Sequence, residues 1–166
     1  MFEFSEISAE NREYFYQELY HYAETMMSGE TDIIALTANM SSLIWHTLPD
    51  INWVGFYFFK KGELVLGPFQ GKPACVRIAP GQGVCGMAFS SRKTLRVDDV
   101  HTFPGHIACD PESHSEIVIP VLNNNDVIAV LDIDSPLMSR FTQADQIGLE
   151  KIVRLLEKNI SYSSLS

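Results

Sequence analysis

The chain has 166 residues, 46% of them apolar and 20% charged, an ordinary composition for a soluble globular domain long enough to bury its own core. Twelve Lys and Arg against 21 Asp and Glu give a formal net charge of -9, which argues against nucleic-acid binding and against docking on an anionic membrane. No apolar run approaches the roughly 20 residues of a membrane helix, and the acidic start MFEFSEISAE is neither a secretory leader nor an Arg-rich transit peptide, so a cytoplasmic location is expected.

In chain order, Phe15, Leu19, Tyr22 and Met26 recur at helical spacing and predict a first helix ended by Gly29. Ile33, Leu36, Met40, Leu43, Ile44 and Leu48 predict a second, stopped at Pro49. From Trp53 to Phe59 the pattern turns aromatic and β-branched. Lys60-Lys-Gly62 then reads as a turn and Glu63–Leu66 as its partner strand. Short strands are expected at Ala74–Ile78 and Thr94–Val97, with a short helix over Val84–Ser91 between them. Residues 98–114, rich in His, Pro, Asp and Gly, predict a long loop, and a loop of that length in a compact domain is functional or disordered. Glu116–Leu122 and Val127–Asp134 form a second hairpin around Asn123–Asp126. Thr142 with Asp145 opens a last helix whose core face is Leu149, Ile152, Leu156 and Ile160, and the tail SYSSLS is expected to fray. The class is α+β: one domain with its core at about 10–160, a mostly antiparallel central sheet of five to six strands, N- and C-terminal helices on one face and the long loop on the other.

Three cysteines, Cys75, Cys85 and Cys109, are an odd number for a disulfide framework. Buried, each would be a small hydrophobe; Cys109 differs, lying in the polar, turn-rich stretch His106–His114 where an accessible thiol near imidazoles is reactive. Asp110, Glu112 and Glu116 pull the other way, since negative charge raises a thiol pKa. His101, His106, Cys109 and His114 are potential zinc ligands, but their spacing fits no finger and no Cys-x-x-Cys pair is present, so no metal is expected. Gly81-Gln-Gly-Val-Cys-Gly86 matches G-x-G-x-x-G literally, yet it sits among hairpins behind Pro80 rather than in a βαβ unit. A tight turn packing a helix on the sheet is the better reading. Asp132 and Asp134 fall on one face of an apolar strand, and Glu116 leads into its neighbour. Carboxylates there either emerge into solvent or converge on a pocket, to bind a cation or to hold a proton for general acid work. Trp53 and Tyr57 share a strand face, as core or as the wall of a pocket for a methyl or thioether group.

Taken together, Asn52–Tyr57, Gly67–Cys75, Gly81–Cys85, the loop from Cys109 to Glu116, and Leu131–Ser135 closely resemble the free methionine-(R)-sulfoxide reductases, a family built on a single GAF domain, over residues 10–160. The resemblance implies that Cys109 is the nucleophile, Cys75 the principal resolving thiol and Cys85 an accessory cysteine. It implies substrate binding by Glu116, Asp132, Asp134, Trp53 and Tyr57. It further implies reduction of free L-methionine-(R)-sulfoxide without a cofactor, through a Cys109 sulfenic acid and a disulfide reopened by a thioredoxin-type reductant. Backbone N–H groups before Cys109 would receive the substrate carboxylate, and a homodimer through the terminal helices suits a GAF domain. A non-catalytic ligand-binding GAF module and a redox switch without a small substrate are the competing readings; turnover with a recycling reductant separates them from the enzyme.

Overall fold

The computed structural model describes residues 7–160 apart from Ala9 and Ala108, so the tail SYSSLS lies outside the described residues. Helix α1 (Arg12–Met27) starts at Asn11, whose side-chain oxygen accepts the backbone N–H groups of Glu13 and Tyr14 at 3.0 and 3.1 Å. Helix α2 (Ile33–Thr47) is capped in the same way by Asp32, and all six residues of its expected stripe are buried. The α1 stripe is a correction. Its buried residues are Phe15, Tyr16, Leu19, Ala23 and Met27, while Tyr22 and Met26 flank them half-buried. The cause is the last helix, α4 (Gln143–Asn159), which offers Gly148 to the Tyr16 ring so closely that a Cβ there would stand 2.1 Å from Tyr16 Cγ.

Among the described residues six strands form one sheet with every neighbouring pair antiparallel. They are β1 (Trp53–Lys60), β2 (Glu63–Gly71), β3 (Arg77–Ile78), β4 (Leu95–Val97), β5 (Ser115–Asn123) and β6 (Asp126–Ser135), in the order β3-β2-β1-β6-β5-β4. Both hairpins close with two residues at positive φ, Lys61-Gly62 and Asn124-Asn125, the geometry that matches the twist of the flanking strands. Helix α3 (Gly83–Ser91) and a 3-10 turn (Val100–Thr102) complete the fold.

Strand β2 runs past the expected Leu66 and through Pro68. The proline is tolerated because the β1–β2 register shifts there, Gly55 pairing with Phe69 but Tyr57 with Leu66. β3 is shorter than expected: Ala74–Val76 leave the strand, and Cys75 turns instead toward the loop that carries Cys109.

The sheet separates two cores. Val54, Phe56 and Phe58 of β1, Ile117 and Ile119 of β5 and Leu131 of β6 face α1, α2 and α4. Their alternates Trp53, Tyr57, Val118 and Val130 face α3 and the long loop, with Cys85 among them.

Candidate active site

The alternation that fills the helical core points a second set of side chains at the opposite face. There α3, the segment after β2 and the long loop enclose a pocket. Trp53 and Tyr57 line one wall, their rings 5.9 Å apart and 25° from parallel, and Phe69 stacks behind Trp53 at 5.3 Å. The polar ends of both rings are bonded: Trp53 Nε1–H donates to the Lys72 carbonyl at 3.1 Å and Tyr57 Oη–H to the Cys75 carbonyl at 3.0 Å. Burial, and then the charge of Asp132, hold the Tyr57 phenol well above its ordinary pKa, so it keeps its proton.

Antiparallel pairing brings the three acids together, because Glu116 faces Asp134 across β5 and β6 while Val118 faces Asp132. Glu116 and Asp132 are buried and Asp134 is half-buried, so of the two readings for this strand face the convergent one applies. Burial, and then the neighbouring Asp132 and Asp134, push the Glu116 carboxyl well above the usual carboxylate range. Asp134 rises likewise through burial and the charges of Asp132 and Asp110. Asp132 is pushed up to about 6 by burial, restrained by hydrogen bonds from Cys85 and Glu116. Burial thus pushes all three carboxyls toward their protonated forms. Asp132 Oδ1 is buried and without a hydrogen-bond partner among the described residues, an acceptor that a cationic group could meet. The Cys85 thiol is raised well above its ordinary pKa by burial and by Asp132, so it packs and donates rather than reacts.

Cys75 and Cys109 form a disulfide at the rim of this pocket, with Cα atoms 5.7 Å apart. The Cys109 loop is braced through Asn52, Lys72 and Ser113, which carry no role in the sequence reading. Asn52 Nδ2–H donates to Ser113 Oγ at 3.1 Å and to Asp110 Oδ2 at 3.3 Å. Lys72 reaches Glu112 at 2.6 Å and Asp110 at 3.8 Å, tying the Cys75 segment to the Cys109 loop. Asp110 and Ser113 are buried. Asn52 lies inside a recognised motif, but its partners are about sixty residues away and nothing local announces them. Of the loop before Cys109, whose backbone N–H groups are expected to receive the substrate carboxylate, Ala108 lies outside the described residues.

The loop histidines meet one another, and His106 lines the pocket. His101 meets His106 and His114 edge-on at centroid distances of 6.5 and 5.2 Å, and His106 Nε2 stands 3.9 Å from Glu116 Oε2. Burial, then His101, lower the His106 pKa and favour its neutral form. Among the described residues, the side chains whose ligand atoms all lie within 4.8 Å of one another are Cys85, Glu116 and Asp132. The glycine fingerprint is a packing device: Gly81 and Gly83 take positive φ, and a Cβ on Gly86 would meet the Ala79 carbonyl at 2.4 Å. Among the described residues no helix is long and apolar enough to cross a membrane.

Comparison with known proteins agrees with this architecture. Residues 28–160 match the family model "GAF domain". The chain is 51% identical over 148 residues to the free methionine-R-sulfoxide reductase of Escherichia coli, covering 89% of this chain and 90% of that one. Among solved structures, it is similar to the free methionine-R-sulfoxide reductase of Neisseria meningitidis in complex with its substrate, at 37% identity and a TM-score of 0.91, covering 96% and 95% of the two chains. It is also similar to fRMsr of Staphylococcus aureus in complex with substrate, at 49% identity and a TM-score of 0.85, covering 88% and 95%.

Proposed function

Since the chain belongs to the GAF-domain family, and within it to the free methionine-R-sulfoxide reductases, we propose that it reduces free L-methionine-(R)-sulfoxide with Cys109 as nucleophile and Cys75 as resolving thiol. The observation that carries the residue assignment is the Cys75–Cys109 disulfide at the rim of a pocket that also holds Glu116, Asp132 and Asp134. The first step transfers oxygen. The Cys109 thiolate attacks the sulfoxide sulfur while Glu116, whose buried carboxyl is pushed toward its protonated form, delivers a proton to the sulfoxide oxygen. Oxygen passes to Cys109 as a sulfenic acid, and the substrate sulfur, reduced by two electrons, leaves as the thioether of methionine. Cys75 then condenses with the sulfenic acid and expels water, and a thioredoxin-type dithiol supplies two electrons and two protons to reopen the bond.

The remaining groups account for selectivity. Asp132 and Asp134 receive the substrate ammonium, and the buried, unpartnered Asp132 Oδ1 supports that role. Trp53 and Tyr57 wall the methyl thioether end. A methionine sulfoxide inside a peptide lacks the ammonium, so the buried acids would be left unpaired and it is refused. The working molecule is a homodimer through its terminal helices, whose outer faces leave Tyr14 and Ile147 exposed.

The test is reductant-coupled turnover of the free (R) and (S) epimers and of a peptide-bound sulfoxide, with the wild type and Cys109→Ser. Turnover of the free (R) epimer alone, abolished by the substitution, is expected. Turnover that survives Cys109→Ser would overturn the nucleophile assignment, and turnover of the peptide would overturn the account of selectivity.

A further inference from the structure

The segment between β2 and β3, residues 72–76, carries Cys75 but has no regular secondary structure. Two side chains from one face of β1 hold its backbone. Trp53 Nε1–H bonds the carbonyl of Lys72, where the segment begins, and Tyr57 Oη–H bonds the carbonyl of Cys75 itself. Its other ties are the Leu66 N–H to Val76 carbonyl bond at 2.9 Å, the ion pairs of Lys72 with Glu112 and, at 3.8 Å, with Asp110, and the disulfide. The Lys72–Glu112 pair is exposed on both sides and the Lys72–Asp110 pair is long and exposed at the lysine, and such pairs hold geometry weakly. When the disulfide opens, the bond that acts on the cysteine's own backbone is the one from Tyr57.

We propose, resting on the reductase reading above, that Tyr57 is a positioning residue for disulfide closure, seconded by Trp53. By fixing the Cys75 carbonyl it keeps the Cys75 thiol within attack distance of oxidised Cys109. In that step Cys75 Sγ bonds to Cys109 Sγ and the S–O bond of the sulfenic acid breaks. The hydroxyl and the thiol proton leave as water, so no further reactant enters. Intramolecular attack of this kind depends steeply on placement, a shift near 1 Å being able to slow a step about 100-fold. The two aromatics therefore serve both half-reactions: their faces wall the substrate and their polar ends hold the thiol that follows it.

The experiment is a single turnover without reductant. Fully reduced protein is mixed with one equivalent of free L-methionine-(R)-sulfoxide, and methionine, disulfide and a 1,3-diketone adduct of the sulfenic acid are followed in time. In the wild type, disulfide is expected to keep pace with methionine. In Tyr57→Phe, which keeps the ring and deletes the hydroxyl, disulfide is expected to lag methionine by about three- to tenfold in rate, the effect of one lost hydrogen bond. The diketone adduct should then accumulate on Cys109. Trp53→Phe should lag in the same direction, and it carries the test if Tyr57→Phe does not fold. Disulfide that keeps pace in both variants, with no adduct, overturns the inference. One equivalent of hydrogen peroxide in place of the sulfoxide makes the Cys109 sulfenic acid without substrate. Failure of the reductase reading is thereby told apart from failure of the positioning role: the first abolishes methionine in the wild type, the second abolishes the lag with either oxidant.

Discussion

Asp132 concentrates the conflict between folding and function. It lies on the apolar β6, 7% exposed, with one oxygen bonded and the other facing no donor. Its pKa of about 6, against 3.8 for an ordinary aspartate, sets a sign. Between those values the folded chain holds a proton that the unfolded chain has released, so rising pH favours unfolding and native stability is lost across that window. Asp132→Asn removes the titration while keeping an oxygen to accept from Cys85 and Glu116. Its thermal stability relative to the wild type is expected to climb from pH 4 to pH 6 and to level off above, by roughly 1–2 kcal/mol. The same substitution should raise KM for free methionine sulfoxide by tenfold or more, as for a lost charged contact of about 1.5–3 kcal/mol. Melting curves over pH beside steady-state kinetics check both; a variant less stable than the wild type at pH 8, or with unchanged KM, contradicts the account.

At the scale of elements, α3 shows how backbone packing delivers a side chain to the site. Its opening turn bonds back on itself, Gly81 N–H to the Gly86 carbonyl at 2.9 Å, with the Ala79 carbonyl against the bare Gly86 Cα. Helix propensity alone would make Gly86→Ala stabilising by about 1 kcal/mol. The added Cβ instead meets the Ala79 carbonyl at 2.4 Å, backbone that cannot swing aside. The expected outcome is a loss of roughly 2 kcal/mol, with a weakened Cys85–Asp132 contact visible as faster thiol labelling of Cys85. Stabilisation with unchanged labelling would refute it. Elements were legible where one local pattern decided them. The α2 stripe, the aromatic β1 and the two hairpins needed only periodicity and turn residues. The reading failed where a distant element decided: Gly148 turned Tyr16 rather than Tyr22 into the α1 core, and the Cys109 loop drew Ala74–Val76 out of the strand. The site divides in the same way. The residue types of the cysteines, acids and aromatics stood out in the sequence, whereas the roles of Asn52, Lys72 and Ser113 come from contacts across loops.

Across the whole molecule the sheet divides labour: its site face carries crowded acids at a cost in stability, and its helical face offsets that cost. One buried network locks the helical layer. Asp145 belongs to the capping box of α4, the part legible in the sequence, and accepts the Thr142 N–H at 2.7 Å. It also accepts the Tyr16 hydroxyl at 2.8 Å and an Arg140 N–H at 3.3 Å, with Arg12 at 3.7 Å. Arg140 continues to the Pro49 carbonyl at 2.8 and 3.1 Å, at the corner between α2 and β1. Although burial opposes ionisation of Asp145, the hydrogen bonds from Thr142 and Tyr16 and the charge of Arg140 hold its pKa below 3.8. A depressed acid stabilises the fold above its unfolded pKa, and that contribution is lost as pH falls below 3.8. Asp145→Asn keeps the size of the side chain but leaves the buried Arg140 without its counter-charge, so a loss of about 3 kcal/mol is expected at neutral pH. For a domain of this length that corresponds to about 10 °C in Tm. The loss should shrink as the pH is lowered below 4, where the wild-type carboxylate also gains its proton. Because Asp145 and Arg140 lie on the far side of the sheet from the disulfide, KM at a temperature well below melting should not change. Calorimetry between pH 3 and pH 8, with KM measured at 20 °C, decides the matter. A pH-independent loss would mean that the network acts through shape rather than charge, and a raised KM would mean that the two faces of the sheet are coupled.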